Sequence, residues 1–345
     1  MSAQSARLKD ARVIPAHPLA LTPSRQIDER AQRALTRYYV DAGAGGIAVG
    51  VHSTQFQIRD LGLYQPVLEL AAETARAWAG SRPVPLLIAG AVGEVAQAVA
   101  EAETAKALGY EFVLLRVLPG ENRSEDDDLE RARVVSEILP VIGFYLQPAA
   151  GGRRLSSDYW RRLADLPGVA AIKIAPFDRY ATLDVLRGVA ASSRANQVVL
   201  LTGNDDNIVE DLRTRFTWPG APDVELTFAG GLLGQFGVWT SKAKELVTIA
   251  HEARDGVSGA EVETYAHAMT DANGVLFDAA HRYRGCLPGI AEVLRRQGLI
   301  DTILTLDPAE TLSPGQAEEL DRIAATYPFL QDDDFVAEHR DRWRS

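Results

Sequence analysis

From Arg12 to about Gly234 the chain alternates short, almost wholly apolar runs with longer segments of helical periodicity. The apolar runs are Val13–Leu21, Ile47–Val51, Val84–Ala91, Phe112–Pro119, Val141–Pro148, Ala170–Pro176, Val198–Gly203 and Leu226–Gly231. A near-continuous apolar run of this length is what a parallel strand buried on both faces requires. Between the runs lie amphipathic segments, clearest at 94–108, where Val95, Ala98, Val99, Ala102 and Leu108 form a stripe and Glu101, Glu103 and Lys106 lie off it. Eight strands with helical crossovers predict an α/β fold, a (β/α)8 TIM barrel first and an open doubly wound sheet second.

After Thr240 the alternation stops. Helical periodicity follows at 242–253, 258–277, 289–298 and 313–326. The expected organisation is therefore a catalytic barrel over residues 1–239 and a C-terminal all-helical extension over 240–345. The acidic run Glu125–Asp128 reads as the opening of a helix, where carboxylates favour the positive end of the helix dipole.

Composition narrows the function classes. Lys plus Arg number 36 against 47 Asp plus Glu, a formal charge of −11, with no run of more than two adjacent basic residues. Nucleic-acid binding and attachment to an anionic membrane surface are not expected from such a chain. One cysteine, Cys286, allows no intrachain disulfide and no cysteine-cluster metal site. Residues 1–16 show no apolar core of signal-peptide length, and no run approaches the about 18 apolar residues of a membrane span. A cytoplasmic protein is expected.

Among candidate chemical groups, Lys173 stands out. It lies in Val-Ala-Ala-Ile-Lys-Ile-Ala-Pro, the middle of an otherwise apolar strand. Burial disfavours an ammonium and lowers its pKa, and a neutral amine is the nucleophile that imine formation with a carbonyl compound needs. Tyr145 stands three residues before Pro148, as Lys173 stands three before Pro176, so a proton-relaying phenol is expected at the same depth on the neighbouring strand. Val51, His52, Ser53 and Thr54, after the second strand, offer loop amides and polar side chains for an anion. Asp205 and Asp206 read either as helix caps or, with Glu225, as strand-end ligands for a metal. Gly43–Ala48 mimics a dinucleotide-binding glycine motif but precedes a strand instead of following one, and no cofactor is expected.

In order along the chain stand Ile-Pro-Ala-His-Pro-Leu, Gly-Gly-Ile-Ala-Val-Gly, Leu-Ile-Ala-Gly, Phe-Tyr-Leu-Gln-Pro, Ala-Ile-Lys-Ile-Ala, Leu-Leu-Thr-Gly-Asn-Asp and Gln-Gly-Leu-Ile. This series resembles the dihydrodipicolinate synthase and N-acetylneuraminate lyase superfamily of Schiff-base aldolases. The resemblance implies an aldolase, lyase or dehydratase, usually a homotetramer, acting on a 2-oxo acid such as pyruvate. Lys173 would form the imine, Tyr145 would relay the proton, residues 51–54 would receive the carboxylate, and Gly203 would line the pocket. The departures are specific. Val51 stands where the family carries a threonine hydroxyl, Gly120-Glu121 follows Pro119 in place of two tyrosines, and Ala150 replaces the synthase arginine. Dihydrodipicolinate synthase itself is therefore not expected, and the relay would use His52, Ser53 or Glu121. The alternative is a catalytically silent barrel, likewise oligomeric, that binds a small oxo acid.

Overall fold

The computed structural model describes residues 3–120, 123–218, 221–257, 259 and 261–345. Its ten strands are β1 Val13–Pro15, β2 Gly46–Val49, β3 Leu86–Ala91, β4 Phe112–Arg116, β5 Val141–Leu146, β6 Val169–Ala175, β7 Val199–Thr202, β8 Phe216–Trp218, β9 Ala221–Leu226 and β10 Phe228–Leu233. Eight of them form one parallel sheet in the order β1-β10-β7-β6-β5-β4-β3-β2. An isolated parallel bridge between Ala16 and Ala48 brings the two edges together, so the sheet closes into a (β/α)8 barrel. Each apolar run read from the sequence contributes one barrel strand. The first is shorter than its run: the strand proper ends at Pro15, and pairing stops after Ala16 and His17 bond Leu233 and Ala48.

Helices on the outside are set by local signals. Asp28, Ser156 and Asp178 cap the helices Glu29–Asp41, Ser157–Asp165 and Arg179–Ala190 by accepting from backbone N–H groups two or three residues on. The acidic run opens the helix Glu125–Ser136 behind a Ser124 cap. Asp128 from that run is buried, where it takes hydrogen bonds from Arg153 (2.7 Å) and from the Leu118 amide (3.0 Å).

Apart from the C-terminal helix Asp333–Trp343, which the periodicity also did not mark, two features have no counterpart in the sequence reading. One is the antiparallel hairpin of β8 and β9, inserted before the last barrel strand. The other is the N-terminal helix Ala3–Ala11, whose Leu8 is fully buried among the residues that fill the barrel interior, including Ile14, Leu86, Phe112 and Leu201. It packs on β3, β7 and β10 and pairs Arg7 with Glu111. Its weak apolar periodicity hid it, because only one large side chain is committed to the interior.

Beyond the barrel strands run the helices Thr240–Arg254, Val262–Leu276, Cys286–Arg296, Gln316–Thr326 and Asp333–Trp343. The first packs on β1 and on the helix Ile208–Arg213, and the last packs on Glu29–Asp41. Buried Asp332 ties the C-terminal region to the barrel, accepting from the Tyr38 hydroxyl (2.8 Å), Ser241 Oγ (3.0 Å) and Gln297 Nε2 (2.9 Å). Apolar packing is continuous across the same boundary. No helix among the described residues is long and apolar enough to cross a membrane.

Truncation of the plugging side chain, Leu8→Ala, leaves a void at the closed end of the barrel. It is expected to lower unfolding free energy by about 2–5 kcal/mol in a urea titration, with little change in the opposite, cavity end. An effect within error would show that the helix does not fill the barrel in solution.

Candidate active site

Within a barrel strand, side chains alternate between the interior and the surrounding helices. On β6, Ile172 and Ile174 join the outer apolar layer, so Lys173 between them points inward. On β5, the residue paired with Lys173 is Phe144, and the Lys173 amine lies 4.3 Å from the centre of the Phe144 ring. Both side chains line a cavity of about 490 Å³ at the C-terminal end of the barrel strands, a size typical of small-molecule sites. The lysine is only 8% exposed, and among the described residues its amine has no hydrogen bond and no ion pair.

Tyr145 is not in this cavity. One residue along from Phe144 it faces outward, 2% exposed, with its ring 5.0 Å from that of Trp160 on the helix Ser157–Asp165. The distance to Pro148, which matched Lys173 to Pro176, misjudged the parity. Register on β5 and β6 is fixed by Phe144 opposite Lys173 and Tyr145 opposite Ile174, and a shift of one residue exchanges the two faces. Burial raises the Tyr145 pKa further above its ordinary value, so the phenol stays protonated in its outer layer.

The loop after β2 divides. Val51, His52 and Ser53 line the cavity, whereas fully buried Thr54 turns into the fold, donating to the His17 carbonyl (2.7 Å) and accepting from the Gly50 amide (3.0 Å). The one-turn helix His52–Thr54 bonds its amides only from Thr54 onward, to Val51. The His52 and Ser53 amides therefore precede its first hydrogen bond and make none among the described residues, and both residues line the cavity, where such amides suit a carboxylate. Burial, then the cations Lys173 and Arg116, lower the His52 pKa to about 4, so this imidazole is neutral at pH 7. Glu121 lies outside the described residues.

From β7, Gly203 lines the cavity, and the reason for glycine is steric: a Cβ there would stand 2.6 Å from Lys173 Cε. Two residues on, buried Asp205 also lines it. Asp205 does not cap the next helix. It accepts from the Gln235 amide (3.1 Å), and Asn273 Nδ2 donates to its backbone carbonyl (2.7 Å). Burial lowers the Lys173 pKa and raises that of Asp205, while their opposite charges pull each partly back. They interact without closing to an ion pair of 4.0 Å or less. The metal reading from Asp205, Asp206 and Glu225 fails geometrically. Asp206 faces a separate cleft with Asp178 and Arg179, and Glu225 on the hairpin pairs with Arg215.

The C-terminal region supplies the remaining wall through Phe277, the segment Arg282–Arg284, Cys286, Ile290 and Glu310. None of these was singled out as a site residue in the sequence, since their distance along the chain gives no local signal that they return to the barrel mouth. Burial pushes the Cys286 thiol well above its ordinary range, so it is not a reactive thiolate.

The model of the dihydrodipicolinate synthetase family matches residues 9–216, more than half of the chain. N-acetylneuraminate lyases of Salmonella typhimurium and Salmonella newport are 27% identical over 161 residues, 44% of this chain and 52% of those proteins. The match thus spans about half the length of these curated relatives. Among solved structures, dihydrodipicolinate synthase from Oceanobacillus iheyensis aligns with TM-score 0.74 and 17% identity, over 94% of this chain and 99% of the other. A prophage protein of E. coli K12 in the dihydrodipicolinic acid synthase family, solved with pyruvate, aligns with TM-score 0.75 and 17% identity, over 92% and 99%. The fold is shared at nearly full length, and the chain belongs to the dihydrodipicolinate synthetase family.

Proposed function

We propose that this protein is a lysine-dependent aldolase or lyase, of the carbon–carbon or carbon–oxygen type, that acts on a 2-oxo acid through an imine on Lys173. The observation that carries the reading is a buried, unpaired amine facing an open cavity. An ammonium with no acceptor in such a place is disfavoured, and the neutral amine is the form that attacks a carbonyl. The family membership supports the same chemistry.

In this reading the substrate carboxylate sits on the free amides of His52 and Ser53. The Lys173 amine adds to the C2 carbonyl and water leaves, giving a protonated imine. That cation draws electrons from the neighbouring carbon, C3. Loss of a C3 proton gives an enamine, which can add to an aldehyde. In the reverse direction, loss of the C4 hydroxyl proton with cleavage of the C3–C4 bond of an aldol imine releases the aldehyde and the same enamine; protonation at C3 restores the imine, and water then frees the lysine.

A proton carrier is needed at C3, and Tyr145 faces the wrong side to serve. Asp205 is the carboxylate that lines the cavity with Lys173, held by the Gln235 amide and separated from the amine by more than an ion-pair distance. It is assigned here as the base that takes the C3 proton. Its raised pKa brings it nearer the range in which a carboxylate both accepts and returns a proton at neutral pH.

Borohydride reduction with pyruvate and other 2-oxo acids, followed by peptide mass mapping, is the direct test. Wild-type protein is expected to give a stable adduct on Lys173, and Lys173→Met to give none while retaining its circular dichroism spectrum. An adduct on another residue refutes the assignment, and none in the wild type leaves a silent oxo-acid-binding barrel. Because burial lowers the Lys173 pKa, trapping is expected to keep its full rate to a pH well below the ordinary lysine value of 10.5 and to fall only as the amine protonates. Removing the nearby negative charge with Asp205→Asn should move that acid limb to still lower pH.

The same variant separates the two proton carriers. Asp205→Asn is expected to reduce turnover by about 10²–10⁴-fold while the Lys173 adduct still forms. Tyr145→Phe, which removes a hydroxyl on the outer face, is expected to change turnover little. A large loss with Tyr145→Phe and none with Asp205→Asn would return the role to the tyrosine.

A further inference from the structure

We infer that the true substrate is a 2-oxo acid carrying a second acidic group at its far end, bound by Arg282 and Arg284 at the cavity mouth; this rests on the imine reading of Lys173. Nearly all arginine side chains in the described residues are paired. All but Arg12 and these two donate a hydrogen bond or form an ion pair. Thus two of the three unpaired guanidinium groups flank a single residue, Tyr283, and all three of these residues line the same cavity as Lys173. A guanidinium fork without a protein partner, on a residue that lines a ligand space, matches a carboxylate or phosphate.

The segment is built to hold that position. Asp278, Arg282 and Tyr283 all have left-handed backbone, with φ of 58°, 57° and 64°, a conformation that costs a non-glycine residue energy and persists only where the surroundings fix it. Buried Asp278 does the fixing, accepting from the Gly285 amide (2.9 Å), Ser313 Oγ (2.6 Å) and His281 Nδ1 (2.6 Å). Tyr283 is braced from the barrel side by Phe177, itself left-handed with φ 51°, at 5.6 Å between ring centres.

Space and charge agree with an extended acid. The cavity of about 490 Å³ far exceeds what a three-carbon acid fills, so the Lys173 end and the arginine end can be occupied by one molecule. The two carboxyl groups that share the cavity, Asp205 and Glu310, are both shifted toward their neutral forms by burial, which weakens their competition for the arginines. The position after β5 that could have offered a cation from the barrel is Ala150, which lines the cavity without charge.

The test uses the full-length protein and three acids of matched chain length: 2-oxohexanoate, 2-oxoadipate and the terminal phosphonate counterpart of 2-oxoadipate. The readout is the concentration giving half-maximal borohydride adduct on Lys173. The wild type is expected to trap at least one of the doubly acidic compounds at about tenfold lower concentration than 2-oxohexanoate, and which one leads identifies the second group as carboxylate or phosphate in type. That ratio should collapse toward one in Arg282→Ala/Arg284→Ala and recover in part in the double lysine variant. Both arginines are exposed, so the fold is not at stake. A wild-type ratio near one, or a ratio unchanged in the double alanine variant, overturns the inference and leaves the imine standing. No adduct with any of these acids or with pyruvate overturns the imine reading and this inference together.

Discussion

The amine of Lys173 is the group around which the rest of this molecule is arranged. A closed barrel must fill its interior, and it does so with apolar side chains from alternate positions of each strand, Ile14, Ile88, Leu114, Ile142 and Leu201 among them. Near the C-terminal end that filling gives way to one long cationic side chain. Its ammonium form has lost water and gained no acceptor, only the face of Phe144 and the field of Asp205 a short way off. The surroundings thereby lower the pKa of this amine from 10.5 to about 8, which enlarges its neutral fraction near neutral pH without closing it into an ion pair.

Neighbouring features follow from holding that side chain in reach of a ligand. Gly203 is bare because the lysine stem occupies the volume a Cβ would take. The loop after β2 is split between cavity and fold: Thr54 is spent on the His17 carbonyl and the Gly50 amide, which pins the turn so that the His52 and Ser53 amides stay free. The barrel is plugged at its other end by the helix Ala3–Ala11, so the cavity opens in one direction, toward the loops and the C-terminal helices.

Those helices are part of the site and not merely an appendage. Asp332 anchors the region to the barrel through the Tyr38 hydroxyl, and the helix Cys286–Arg296 carries Cys286 and Ile290 into the cavity wall. Between Leu276 and Cys286 the chain makes its most strained turn directly above the mouth. The barrel places Lys173 in the cavity and the C-terminal region forms its far wall, so the two sides of one cavity come from segments more than a hundred residues apart.

The sequence by itself determined the eight barrel strands, since continuous apolar runs separated by amphipathic segments leave few other ways to bury them, and it determined Lys173 as the anomaly among them. It also marked the loop of Val51, His52 and Ser53, because loops at one rim of a barrel converge, while Gly203 came from the family resemblance; all four line the cavity. Only the tertiary structure decided between Phe144 and Tyr145: both sit beside the same proline, and inward or outward is a matter of register against β6, which no local pattern records. It likewise decided that Thr54 turns away and that Asp205, which reads as a helix cap or a ligand, faces the lysine instead. The placing of Arg282 and Arg284 at the mouth was beyond any spacing rule, because the path of the whole chain brings residues 173 and 283 to one cavity.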